Sequence, residues 1–262
     1  MPEASRPVFG SEVNSCETND MEFFLHGLTY SISQNIFDKF PGYCRGVVLA
    51  YDVHNGPSSD RLIQMLRDAE ASVRQQTTIE NIAEHPRIKP WREAYKAFGA
   101  KPSEYRSSVE AMARRVLRND ELPSINALVD IGNILSLQHL LPVGGHSMDE
   151  LTQDISLRLA TGNEDFIPFG SSEVEHPLPG EVIFVEGNSV LTRRWTWRQA
   201  NHTLTLPETH SIEINIDRLP PVEMEEIHAI ASQVMGLVSA FCGGRMRYAV
   251  LSAEKMEMNL IG

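Results

Sequence analysis

The chain has 262 residues, 42% of them hydrophobic, enough to bury a sizeable core in one body. A formal net charge of -12 and a pI near 5.2 disfavour nucleic-acid backbones as partners unless basic residues gather in one place. Cys16, Cys44 and Cys242 are odd in number and lack CxxC spacing, which excludes a disulfide framework and fits a reducing compartment. No apolar run reaches the about 18 residues of a membrane span, and no signal-peptide pattern opens the chain. A soluble, cytoplasmic protein with no membrane partner is expected.

Residues 1–24 are polar and without periodicity, and composition predicts a flexible N-terminal arm. Gly46 to Tyr51 (GVVLAY) reads as a short buried strand. HNGPSS then leads into a helix from about Asp60, capped by Ser58 or Ser59, with Leu62, Ile63, Leu66, Ala69 and Val73 on one face. A second helix is predicted over Lys89 to Phe98, Pro90 in its first turn and Trp91, Tyr95 and Phe98 inward. Ser107 and Ser108 precede a helix carrying Val109, Met112, Ala113 and Val116 and read first as plain capping; together with Arg106 they could also hold an anion at its N-terminus.

From Pro123 to Asp149 the signals come in an unusual order. Apolar residues at Ile125, Leu128, Ile131, Ile134, Leu135 and Leu137 predict a buried helix with Ser124 as its N-cap. Pro142, Gly144 and Gly145 then predict a turn that delivers His146 to an open edge. Beyond it the chain turns β-rich. ISLRLA (Ile155 to Ala160) alternates, and EVIFVEGNSVLTRRWTW reads as two strands joined at Gly187-Asn188. Phe166 to Gly180 forms a surface flap, SIEINID a further strand, and about Glu223 to Phe241 a last helix after Pro220-Pro221.

Alternation along the second hairpin strand places Arg193, Trp195 and Trp197 on one face and Arg194, Thr196 and Arg198 on the other. An arginine fixed on a strand can clamp a carboxylate by paired hydrogen bonds, and a neighbouring tryptophan can stack on an aromatic ligand; filling the core and pairing internally is the competing role. His146, His202 and His210 fall in loops where they could meet Glu173, Glu175 or His176, and an imidazole can exchange protons at cellular pH. No HxxxH or CxxC pair supports a metal, and no P-loop or GxGxxG supports a nucleotide, so no cofactor is expected.

Ser124, Ile125, Asn126, Val129, Asp130, Asn133, Pro142 and Asp149, with ISLRLA, the Gly180 to Gln199 hairpin, Thr209 to Asp217 and GVVLAY, resemble the B3/4 domain of the phenylalanyl-tRNA synthetase β subunit. The resemblance spans roughly residues 25–245 and implies a free-standing B3/4-like domain, followed by a C-terminal strand and tail over 246–262. It implies an α+β fold: mixed sheets with antiparallel hairpins, covered by helices. In that family the domain edits tRNA charged with tyrosine. Pro142 matches the proline of the family's Pro-x-His turn, with Gly144 at the histidine position, and Gln199 to Asn201 stand where the family has Gly-Gly-Glu.

An aromatic amino-acid pocket with altered polar groups is therefore the expectation. The first functional expectation is a Pictet-Spengler condensation of free tryptophan, or an analogue, with a carbonyl co-substrate. Arg193, Arg194, Trp195, Trp197, Arg106 and Ser107 would bind substrate, and His146, His202 and Glu173 would act as acid or base. The alternatives are trans-acting hydrolysis of mischarged tRNA, and a non-catalytic binding module. Assembly as a homo-oligomer stays open.

Overall fold

The computed structural model describes residues 25–261, so the expected N-terminal arm and Cys16 lie outside the described residues. The elements in order are β1 (Thr29–Ile32), α1 (Gln34–Lys39), β2 (Cys44–Tyr51), α2 (Asp60–Gln76), α3 (Lys89–Ala97), α4 (Ser108–Leu117), α5 (Ala127–His139), β3 (Val143–Ser147), β4 (Ile155–Leu159), β5 (Val182–Glu186), β6 (Ser189–Arg193), β7 (Arg198–Gln199), β8 (Ile212–Arg218), α6 (Met224–Phe241), β9 (Arg245–Leu251) and β10 (Glu257–Asn259). They build the expected α+β fold around two sheets, one mixed and one wholly antiparallel.

One sheet has six strands in the order β10-β1-β4-β5-β6-β7, and the other has four in the order β3-β8-β2-β9. Only β1 and β4 run parallel among the paired strands; every other pairing is antiparallel. The reason the four-stranded sheet is apolar on both sides is legible in β2. Val48 and Ala50 face a helical layer that includes Leu62 and Leu66 of α2, Ile131 of α5 and Ile230 of α6. Val47, Leu49 and Tyr51 point the other way, against the six-stranded sheet and Trp91 and Tyr95 of α3. Burying both faces turns alternate residues into two separate cores rather than one core and one wet face.

Three local expectations are corrected. The N-cap of α5 is Asn126, whose side chain accepts from the Val129 N–H. Ser124 instead donates to Asp130 Oδ2 at 2.5 Å, as does Ser58 at 2.6 Å, so the buried Asp130 ties two loops to the helix. Pro142 to His146 is not a turn: after Leu140 closes α5 in a left-handed conformation, β3 runs as the edge strand beside β8. Finally, the second hairpin strand stops at Arg193. Arg194 and Trp195 have φ of 47° and 65°, so the chain turns there and β7 pairs back on β6, which breaks the alternation expected through Trp197.

Cys44 and Cys242 are buried and unpaired. Among the described residues no helix is long and apolar enough to cross a membrane.

Candidate functional site

The edge strand β3 is where the fold opens. Gly144 and Gly145 carry no side chains into the space between α5, β8 and the β6–β7 turn, and a cavity of about 690 Å³ occupies it. Such a volume lies in the range of small-molecule sites, about 300–1,000 Å³. Its walls are mainly apolar: Leu128 and Val129 of α5, Ile212 and Ile214 of β8, Phe184 of β5, and Trp195. Ile125, Phe169 and Leu206, three of the exposed large apolar side chains, ring its mouth. Ile125 was expected on the buried face of α5; it precedes the helix and is 57% exposed.

The floor is polar and lies between the two sheets. Arg45 of β2 donates from Nε to Asp217 Oδ1 at 2.8 Å and from Nη2 to Oδ2 at 3.0 Å, a two-point pair in the fully buried interior. Its Nη1 donates to the Tyr30 hydroxyl at 2.7 Å, and the Tyr43 hydroxyl meets Asp217. Two residues along β8, Asn215 borders the cavity and its amide donates to Glu213 Oε1 at 2.9 Å. Glu213 is fully buried, and burial pushes its carboxyl up to about 7.

His146 projects from β3 into this layer. Its Nδ1 lies 2.6 Å from Thr203 Oγ1 and its Nε2 3.0 Å from Thr192 Oγ1, and its ring packs edge-on against Phe184. Burial, with Arg45 and His202 adding repulsion, pushes its pKa down to about 3. At neutral pH it is an uncharged ring, held by two hydroxyls and too weak a base to accept a proton readily. Gln199 stands beside it, its amide donating to the Thr203 and Gly145 carbonyls at 3.0 and 3.3 Å.

The expected site residues thus separate. His146, Trp195 and Trp197 line the cavity, and Trp195 also anchors the aromatic core, 4.7 to 5.2 Å from Phe40, Tyr43 and Trp91. Arg193 does not face it. Its guanidinium makes a two-point pair with Glu181 and a third bond to Glu175, the internal pairing named as the competing role. Arg194 lies 3.7 Å over the Tyr105 ring and 4.5 Å over Trp197, behind the wall and not in it.

Ser107 caps α4 through Glu110 N–H, and Arg106 leans on Glu110 at 4.0 Å; it is the neighbouring Ser108 that borders the cavity. His202 sits outside the lining, paired with Glu186 at 2.5 Å, which raises its pKa. Glu173 is exposed on the flap, bonded through its own N–H to Ser171, and does not reach the cavity. His146 and His202 therefore occupy different environments and do not converge on one reacting centre.

Sequence reasoning missed Arg45, Glu213 and Asn215, and reached Gln199 only as a position in the family resemblance. The signal lay in SIEINID: its alternation puts Glu213, Asn215 and Asp217 on one face, a pattern that reads as a wet face. That face is covered here by the second sheet.

The chain is thus an α+β domain of two sheets with a deep, mostly apolar cavity at an edge strand. The sequence model of the B3/4 domain matches residues 90–235, more than half of the chain, and the chain belongs to that family. An N-terminal fragment of the phenylalanyl-tRNA synthetase β-subunit from Pyrococcus horikoshii is similar over 85% of this chain and 51% of that chain, at 12% identity and a TM-score of 0.43. The chain spans about half the length of that fragment. No curated protein matches the sequence.

Proposed function

We propose that the cavity receives an aromatic amino acid and that the chain hydrolyses the ester joining it to tRNA. The observation that carries this reading is the cavity itself: aromatic and aliphatic walls with N–H donors from Arg45, Asn133 and Asn215 on its lining. An aminoacyl ester is already activated. Its hydrolysis asks mainly for a positioned water and hydrogen-bond donors near the developing oxyanion. A Pictet-Spengler condensation needs a base to remove the ring proton. His146, down at about 3 with both nitrogens engaged, is poorly suited to that task.

Charge distribution supports the tRNA. Residues 84–118 hold nine Lys and Arg against four Asp and Glu in a chain of net charge -12. Lys89, Lys96 and Lys101 pair with Glu84, Glu93 and Glu104, and Arg87 with Glu226. Arg92 and Arg114 both pair with Glu110, which leaves Arg106, Arg115 and Arg118 without a close acidic partner in that segment. The basic residues left to meet a phosphate backbone are Arg115 and Arg118 at the end of α4, with Arg106 ahead of it, and Ser108 and Met112 of the same helix border the cavity.

The test incubates the purified protein with tyrosyl- and phenylalanyl-tRNA of the phenylalanine acceptor. In parallel, free tryptophan, tyrosine or phenylalanine with a panel of aldehydes and keto acids is followed by mass spectrometry. Release of tyrosine that falls steeply with salt is expected. No deacylation, together with a product equal to the two reactants minus water, would overturn the reading in favour of condensation. Ligand binding without turnover of either kind would overturn it in favour of a binding module.

A further inference from the structure

Buried carboxylates in this protein are matched to a cation or to several donors, with one exception. Among the described residues Glu70 meets Arg67, Glu110 meets Arg92, Glu164 meets Arg158, Glu181 meets Arg193 and Asp217 meets Arg45. Glu186 meets His202, and Asp130 accepts three hydrogen bonds, from Ser58, Ser124 and the Ile125 N–H. Glu213 has no cation paired to it: it accepts from the Asn215 amide, the Tyr30 hydroxyl lies against it, and its Oε2, like that of Glu110, is buried without a partner.

The charged groups around it make the deficit concrete. Arg45 and Asp217 come from β2 and the same strand β8, and they neutralise one another in a two-point pair. Tyr43, ahead of β2, donates its hydroxyl to Asp217, and Tyr30 of β1 accepts from Arg45 while its own O–H is turned to Glu213, neutral donors that bring no positive charge. His146 of β3, opposite Glu213 in the strand register, stays uncharged between Thr192 and Thr203. One cation and two carboxyl groups therefore share a buried layer, which has no second cation for Glu213 when that group ionises. Arg45, Asn215 and His146, the groups around Glu213, all border the cavity.

We propose that the α-ammonium group of the amino acid supplies that charge: Glu213, reached past Asn215 at the cavity floor, is the residue that selects ligands bearing an amine. The inference rests on the aromatic amino-acid reading of the cavity and adds what that reading lacks, a partner for the amine. In the empty protein a proton on Glu213 takes the place of the ammonium, and burial holds it there up to a pH of about 7. Binding of an ammonium expels it. The released fraction should be about 0.9 proton at pH 6 and about 0.1 at pH 8, set by how much Glu213 is protonated beforehand.

Calorimetry on the full chain decides it, with phenylalanine and its deaminated analogue 3-phenylpropanoate, at pH 6 and pH 8 in buffers of differing ionisation enthalpy. Phenylalanine is expected to bind at least tenfold more tightly than 3-phenylpropanoate, with proton release at pH 6 that fades at pH 8. Glu213→Gln should abolish both the preference and the release while 3-phenylpropanoate binding is retained. If that variant does not fold, the two ligands on the unaltered protein still decide. Equal affinity for the two ligands would overturn the role of Glu213 and leave the aromatic cavity standing. Binding of neither would overturn both.

Discussion

Replacing Glu213 by glutamine is expected to change the pH dependence of stability in the protein without ligand. In the fold, burial raises the Glu213 carboxyl from an ordinary 4.5 to about 7, so the folded chain holds this proton more tightly than the unfolded chain. Its stabilisation is complete below about pH 4.5 and is lost as pH rises through 7, a difference of about 3 kcal/mol. His146 acts in the opposite sense. Its pKa falls from 6.5 to about 3, so its stabilisation is complete above 6.5 and is lost as pH falls toward 3.

Between pH 4.5 and 6.5 the two slopes, each about 1.4 kcal/mol per pH unit, cancel. Glu213→Gln removes one of them. The variant should lose about 3 kcal/mol relative to the unaltered protein on acidification from pH 6.5 to 4.5, while groups common to both chains drop out of the difference. Urea denaturation at half-unit intervals from pH 4.5 to 8 measures it. Parallel stability curves, within about 1 kcal/mol across that range, would refute the assignment of opposed titrations to these two residues.

Asp217→Asn leaves Arg45 charged in the dry layer between the sheets and should cost about 3–5 kcal/mol in urea denaturation. Gly144→Val has room for its Cβ, the nearest atom being Asn215 Oδ1 at 3.6 Å, so the melting temperature should hardly move. Ligand affinity should fall at least tenfold because the new methyls enter the cavity. Gly145→Ala, by contrast, meets Ile212 Cδ1 at 3.0 Å and the Glu213 carbonyl at 3.1 Å and should lower the melting temperature. His202→Gln should destabilise more at pH 6 than at pH 8.5. Glu186 raises the His202 pKa, so the pair's contribution is full below the unfolded value of 6.5 and fades above it.

Much of the fold was legible because hydrophobic period and punctuation agree over most of the chain. Leu62, Leu66, Ala69 and Val73 specify the inner face of α2, and Gly187-Asn188 the β5–β6 turn, from local signals alone. The site was less legible because its defining contacts are long-range. Trp195 was placed by strand alternation, yet a left-handed turn at Arg194 and Trp195 re-aims everything after Arg193. A left-handed arginine and tryptophan carry no glycine to announce the turn. Arg45 and Asp217 are 172 positions apart, and neither residue signals by itself that it will be buried. The B3/4 resemblance took in the right stretches of the chain, but the groups at the cavity floor come from β2 and β8, whose sequences by themselves announce strands and not a site.

The position of the polar layer links fold to function more tightly than any single contact in it. A buried ion pair is weak support for stability, since apolar side chains of similar volume often do as well or better. The layer between the two sheets could therefore have been continuous with the apolar core on either side of it, where Val47 and Leu49 already pack. Instead Arg45, Asp217, Glu213 and His146 are grouped where Gly144 and Gly145 open the sheet edge. Each feature without the other would be a liability: a glycine-lined opening over an apolar core would admit any greasy molecule, and a charged layer under a closed edge would cost desolvation with no ligand to meet. Together, on the proposed reading, they suit a cavity whose walls select an aromatic side chain and whose floor meets the polar end that all α-amino acids share.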